Sequence, residues 1–142
     1  MKILHDILKK TDFEVISGNV QTAINEIQFD SRNIRSGDVF VAIKGSQSDG
    51  HHFIDQAIEQ GALAIVLEEI PEKLAKQVCY IKTKQSAKSL SLMAAEYYGN
   101  PTQAIKLVGV TGTNGKTTVV SLLFNLFKEL GYCCGLISTI RI

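Results

Sequence analysis

Apolar residues recur along this chain with two periods. At helical spacing they fall on Leu4, Ile7 and Leu8, then on Phe53, Ile54, Ala57 and Ile58, on Leu90, Met93, Ala94 and Tyr97, and on Val120, Leu123, Phe124 and Phe127. Each set predicts a helix that buries one stripe. The helix over Gly50 to Gln60 stops at Gly61, a residue suited to a left-handed cap. The next is opened by Ser86 and ends before Gly99-Asn100-Pro101, and the last ends at Gly131. Between these lie β-rich stretches at Ile24 to Phe29 and Val39 to Ile43, a continuous apolar run at Ala62 to Leu67, and expected strands at Val78 to Ile81, Ile105 to Val110 and Gly135 to Ile140. The continuous run suits a strand covered on both faces, and the alternation of strand and helix predicts an α/β fold. The Gly-Asn-Pro turn divides it into residues 1–103 and 104–142, the latter reading as one β-α-β unit.

Composition narrows the class without changing this picture. The 142 residues are 45% hydrophobic and 20% charged, which suits a chain with a core of its own. The 15 basic and 14 acidic side chains are interspersed, giving a formal charge of +1 and no basic stripe, so no nucleic-acid partner is expected. No apolar run approaches membrane-spanning length and the N-terminus is charged from the start, which predicts a cytoplasmic protein with no membrane partner. Cys79, Cys133 and Cys134 have no C-x-x-C spacing and are expected to be reduced and packed, the vicinal pair on a strand. Asp49 reads as a helix N-cap, and His5, His51 and His52 lack the spacing of a metal site.

The segment with the most chemistry is Thr111-Gly112-Thr113-Asn114-Gly115-Lys116-Thr117-Thr118, placed where an apolar run hands over to a helix. Glycines there let several N–H groups converge on phosphate oxygens, and the helix start adds its positive dipole end. Lys116 can balance β/γ-phosphate charge, and the Thr117 hydroxyl is placed for Mg²⁺. The generic phosphate-loop spacing wants glycine at position 110, where this chain has Val110. A glycine-rich turn with a solvent lysine is the plainer alternative.

Gly109 to Thr118 reads GVTGTNGKTT and resembles the variant phosphate loop of the Mur ligases of peptidoglycan synthesis. Phe29-Asp30-Ser31-Arg32, Gly37 to Gly45 and Asp49-Gly50-His51 are similar to the N-terminal domain of the late members of that family. The resemblance implies an ATP-dependent ligase that activates a carboxylate as an acyl phosphate and joins it to an incoming amine. T-N-G-K-T-T and GLIST favour the member that adds a diamino acid, meso-diaminopimelate or L-lysine, to UDP-N-acetylmuramoyl-L-alanyl-D-glutamate. The dipeptide-adding member is the alternative. The resemblance also implies a UDP-binding α/β domain over residues 1–103, with UDP contacts at Phe29, Ser31, Ser46, Gln47 and Ser48. It places ATP phosphates on residues 112–118, Lys116 in the catalytic role, and Mg²⁺ on Thr117.

Taken without the resemblance, the DSR and SQSDG segments are equally readable as polar turns. A non-catalytic module that captures nucleotide or UDP-sugar is a second class of reading. A small phosphate-loop kinase or GTPase is a third, which leaves the first hundred residues unexplained. Residues 104–142 suffice for one β-α-β unit and not for a nucleotide-binding domain. The chain alone is therefore expected to lack ligase activity and to self-associate through apolar faces of residues 105–140.

Overall fold

The computed structural model describes residues 1–45 and 48–139. It falls into two compact units, Met1–Ala104 and Ile105–Ile142.

The first unit is built on a five-stranded sheet. Its strands are β2 (Phe13–Ser17), β4 (Ile27–Gln28), β5 (Val39–Val41), β6 (Ala64–Leu67) and β7 (Cys79–Thr83), in the order β2-β7-β6-β5-β4. From β4 to β7 neighbours are parallel, with Val39, Phe40 and Val41 opposite Ala64, Ile65 and Val66. β2 runs antiparallel to β7 with an irregularity between Val15 and Ser17. A small ribbon of β1 (Lys2–Ile3) and β3 (Ala23–Ile24) lies outside this sheet.

Successive strand residues point to opposite faces, and both faces are covered. Val39, Val41, Ala64, Val66, Cys79 and Ile81 pack on one side with Leu4, Ile7 and Leu8 of α1 (Leu4–Leu8) and Met93 of α3 (Ser86–Tyr97). Phe40, Ala42, Ile65, Leu67 and Tyr80 pack on the other with Ile34 and with Ile54 and Ala57 of α2 (Ile54–Glu59). The predicted apolar stripe of α1 is thus core. The thiol of Cys79 is buried, which raises its pKa by desolvation.

In the second unit the regular element among the described residues is α4 (Lys116–Glu129). Three helices stop by one device. Gly61, Gly99 and Gly131 take positive φ just past the ends of α2, α3 and α4. In each case the glycine N–H and the following N–H donate back to carbonyls of the last turn, as in Ala62 N–H to Ala57 O at 2.9 Å.

Several expectations need correction. The run Ile24 to Phe29 divides between two sheets, because Asn25 and Glu26 bend away to donate to Gly37 O and the Asp38 carboxylate. The helix expected from Gly50 begins as a 3-10 turn, Gly50–Phe53, before α2. β2 has no counterpart among the predicted strands, since its short Phe-Glu-Val-Ile-Ser pattern becomes a strand by pairing with β7. Residues 105–110 and 135–139 form no strand, so the expected β-α-β unit is present only as its helix among the described residues. The physical reason is that a strand exists as a member of a ladder, and among the described residues no ladder forms on either segment. Cys133 and Cys134 are exposed instead of packed. Ile140 lies outside the described residues.

Candidate functional site

Parallel strands deliver their following loops to one edge of the sheet, the edge where open α/β sheets take ligands. β4 leads into Phe29 and Ser31, β5 into Lys44 and Gly45, and β6 into Glu68 and Glu69. The phenyl ring of Phe29 is largely exposed, at 64%. Ser31 is buried, and its hydroxyl donates to Gln56 Oε1 of α2 at 2.9 Å, which fixes the turn after β4 against that helix. Asp30 caps the turn by accepting from Arg32 N and takes the Arg32 guanidinium at 2.6 Å. These bonds to Arg32 hold the Asp30 carboxyl down to about 2. Ser48 is exposed, and its carbonyl accepts from Gly45 N at 3.0 Å. Ser46 and Gln47, the other expected UDP contacts, lie outside the described residues. The structure therefore brings Phe29, Ser31 and Ser48 to the carboxyl edge of the sheet.

Asp49 is the N-cap expected from the sequence, accepting from His51 N at 2.9 Å. A network around it was not foreseen. His51 Nδ1 lies 2.6 Å from Asp49 Oδ1, and His51 Nε2 accepts from the amides of Glu68 at 3.0 Å and Glu69 at 3.3 Å. Glu68 Oε1 in turn accepts from both the N–H and the hydroxyl of Ser86, each at 2.7 Å, so it caps α3. Those two donors hold its carboxyl below the usual range. Lys44 pairs with Glu69 at 3.1 Å. The Asp-Gly-His spelling was the available signal, but which donors face an imidazole is decided by strands distant in sequence.

The second candidate site is the start of α4. Gly115 has φ +75° and forms the N-cap, and Gly112 has φ +148°. A Cβ at Gly115 would meet nothing within 4 Å, so its glycine serves the left-handed backbone and not a steric need. Lys116 Nζ donates to Gly112 O at 2.5 Å and Thr113 O at 3.2 Å, so the ammonium lies over the loop. The first turn carries no acidic side chain, leaving its free amides and dipole end uncompensated. Thr117 is half-buried, while Thr113, Asn114 and Thr118 are exposed. An ammonium, unpaired first-turn amides and hydroxyls form a donor set that fits a polyphosphate, and the Thr117 hydroxyl fits as one oxygen ligand of a phosphate-bound cation.

The first unit is thus a mostly parallel α/β sheet with polar loops at its carboxyl edge, followed in the chain by a glycine-lysine-threonine helix start. Residues 23–98, more than half of the chain, match the family described as "Mur ligase family, catalytic domain". The chain belongs to the Mur ligase family. It is 45% identical over 139 residues to a UDP-N-acetylmuramoyl-L-alanyl-D-glutamate--2,6-diaminopimelate ligase of Clostridium tetani, covering 96% of this chain and 29% of that protein. It is 47% identical over 137 residues to the ligase of the same name from Phocaeicola vulgatus, covering 96% and 28%. Among solved structures it resembles MurF from Acinetobacter baumannii, with a TM-score of 0.69, 26% identity, and coverage of 89% of this chain and 27% of that one. It also resembles the MurF ligase from Thermotoga maritima in complex with ADP, with a TM-score of 0.54, 38% identity, and coverage of 73% and 23%. The chain spans under a third of the length of the curated relatives it matches. Among the described residues no helix is long and apolar enough to cross a membrane.

Proposed function

We propose that this chain is the substrate-binding and phosphate-loop portion of an ATP-dependent ligase of peptidoglycan synthesis. That enzyme adds a diamino acid to UDP-N-acetylmuramoyl-L-alanyl-D-glutamate in the cytoplasm. The observation that carries the reading is the likeness, at 45% and 47% identity over 96% of the chain, to relatives named for that reaction. Their names favour diaminopimelate over L-lysine as the added residue.

In this reading residues 1–103 bind the UDP part, with Phe29 and Ser31 after β4 and Ser46, Gln47 and Ser48 after β5. Residues 112–118, in an ATP-binding portion beginning at residue 104, cradle the ATP phosphates. Lys116 neutralises charge on the phosphoryl group as it passes to the D-glutamyl carboxylate, and the loop amides hold that group in line with the acceptor oxygen. The incoming amine then attacks the acyl carbon, the C–N bond forming as the bond from that carbon to the phosphate oxygen breaks, with release of inorganic phosphate and a proton. Mg²⁺, held at Thr117, supplies further charge neutralisation when bound. The exposed Leu122, Leu126 and Leu130 of α4 support self-association of the isolated chain, which light scattering at rising concentration tests.

The test is calorimetry of the chain with UDP-N-acetylmuramoyl dipeptide and with Mg-ATP, added separately, together with phosphate release by the whole protein. Lys116→Ala is expected to lower turnover by about 100-fold or more. Turnover at undiminished speed would overturn the assignment of the loop. A second reading, the dipeptide-adding ligase, is favoured by the likeness to MurF structures. Turnover of the UDP-muramoyl tripeptide and not the dipeptide would select it.

A further inference from the structure

We propose that Asn114 is a site of spontaneous deamidation, and that the carboxylate it leaves closes the loop of residues 111–118 to phosphate. The first half stands on the chemistry of the loop alone. The second rests on the reading of that loop as a phosphate cradle.

An asparagine converts when the backbone nitrogen of the next residue reaches its side-chain carbonyl carbon. That nitrogen must be free of hydrogen bonds and unobstructed by a side chain, in backbone that can bend toward it. Asn114 is the asparagine of this chain that precedes a glycine. It is exposed, lies outside helix and strand, and among the described residues its side-chain amide makes no hydrogen bond. The Gly115 N–H has no acceptor among the described residues either, and a Cβ at that position would meet nothing within 4 Å, so the approach is open. Every other asparagine is obstructed. Asn19 has its Oδ1 taken by Gln21 N at 2.8 Å and is followed by the branched Val20. Asn25 Nδ2 donates to Ser36 O at 2.6 Å, and the Glu26 N–H after it is held by the Asp38 carboxylate at 3.1 Å. The Ile34 N–H after Asn33 donates to Ser31 O, Pro101 after Asn100 has no N–H to offer, and Asn125 lies inside α4, where the next N–H is bonded within the helix.

In the step itself Gly115 N bonds to Asn114 Cγ as the Cγ–Nδ2 bond breaks, and the departing group takes the proton of the Gly115 amide and leaves as ammonia. Water then opens the cyclic imide at either carbonyl, giving aspartate, or isoaspartate with a methylene added to the main chain. Both products carry a carboxylate where a neutral amide stood. It lies two residues before Lys116, at a helix start whose first turn has no acidic side chain. There it satisfies the ammonium and dipole end that would otherwise draw a phosphate, and it repels the phosphate itself.

The 142-residue chain is incubated above neutral pH, and its tryptic peptides, among them the one from Leu107 to Lys116, are followed by mass and by isoaspartate content. Asn114 is expected to convert about 10-fold or more faster than any other asparagine. Conversion no faster than at Asn19 or Asn33 would overturn the site, and this measurement needs no variant. Calorimetry with Mg-ATP on the fresh chain, the fully converted chain and Asn114→Asp reads the consequence. The converted chain and the variant are each expected to bind about 10-fold or more weakly than the fresh chain. Binding by either at the strength of the fresh chain would overturn the closing effect and leave the phosphate reading of the loop intact. No binding by the fresh chain would remove that reading and the closing effect with it, while the peptide masses still decide the conversion of Asn114.

Discussion

The two units carry similar apolar patterns and resolve them differently. Ala64–Leu67 of β6 and residues 105–110, interrupted by Lys106, are both apolar stretches that precede or follow a helix, yet the first is wholly buried between two neighbouring strands and the second forms no strand. Leu107 and Val108 are exposed, as are Leu122, Leu126 and Leu130 of α4. Helix α4 forms all the same, because its hydrogen bonds close within the segment, whereas a strand must find its partners elsewhere. Local pattern is therefore enough for a helix and not for a sheet.

This contrast can be broken by substitution. The largest effect is expected at Phe40, fully buried in the interior strand β5, where Phe40→Ala should cost about 3–5 kcal/mol in urea unfolding of the first unit. Leu122→Ala on the exposed face of α4 should stay within about 0.5 kcal/mol by the same measurement. Equal losses would show that the second unit has a core of its own.

Glycines sharpen the comparison at smaller scale. A Cβ at Gly50 would lie 2.6 Å from Ile43 N and 2.9 Å from Ile43 O, so Gly50→Ala should cost about 1–3 kcal/mol by forcing the turn off the sheet. Gly115→Ala meets open space and should cost only about 1–2 kcal/mol of backbone strain, read as lost helicity of α4 by circular dichroism. A larger loss at Gly115 would indicate a packed phosphate loop.

The smallest effect concerns acid. Glu68 has its carboxyl held below the ordinary range by Ser86, so its contribution to stability is full above pH about 4.3 and is lost as pH falls through its lowered folded value. Glu68→Gln should therefore make the acid limb of the stability curve shallower while leaving the neutral region less stable. An unchanged acid limb would mean that the carboxylate does not cap α3 in solution.

Much of the fold was legible in the sequence. The existence of helices α1, α2, α3 and α4, the glycine stops at Gly61 and Gly131, and the Asp49 cap are local features, decided by residues within a turn or two of one another, whereas no residue of α4 is buried. The order of small and polar residues from Thr111 to Thr118 likewise announced a helix start near Lys116, and α4 begins there.

Tertiary structure alone decided the rest. β2 became a strand because β7 was there to pair with it, Ile24 and Ile27 were sent to different sheets by the Asp38 carboxylate, and residues 105–110 remained unpaired. The amides that meet the ring of His51 follow another strand. In each case the deciding hydrogen-bond partner lies far away in the chain, and no pattern within a short window records which distant donor or acceptor will arrive.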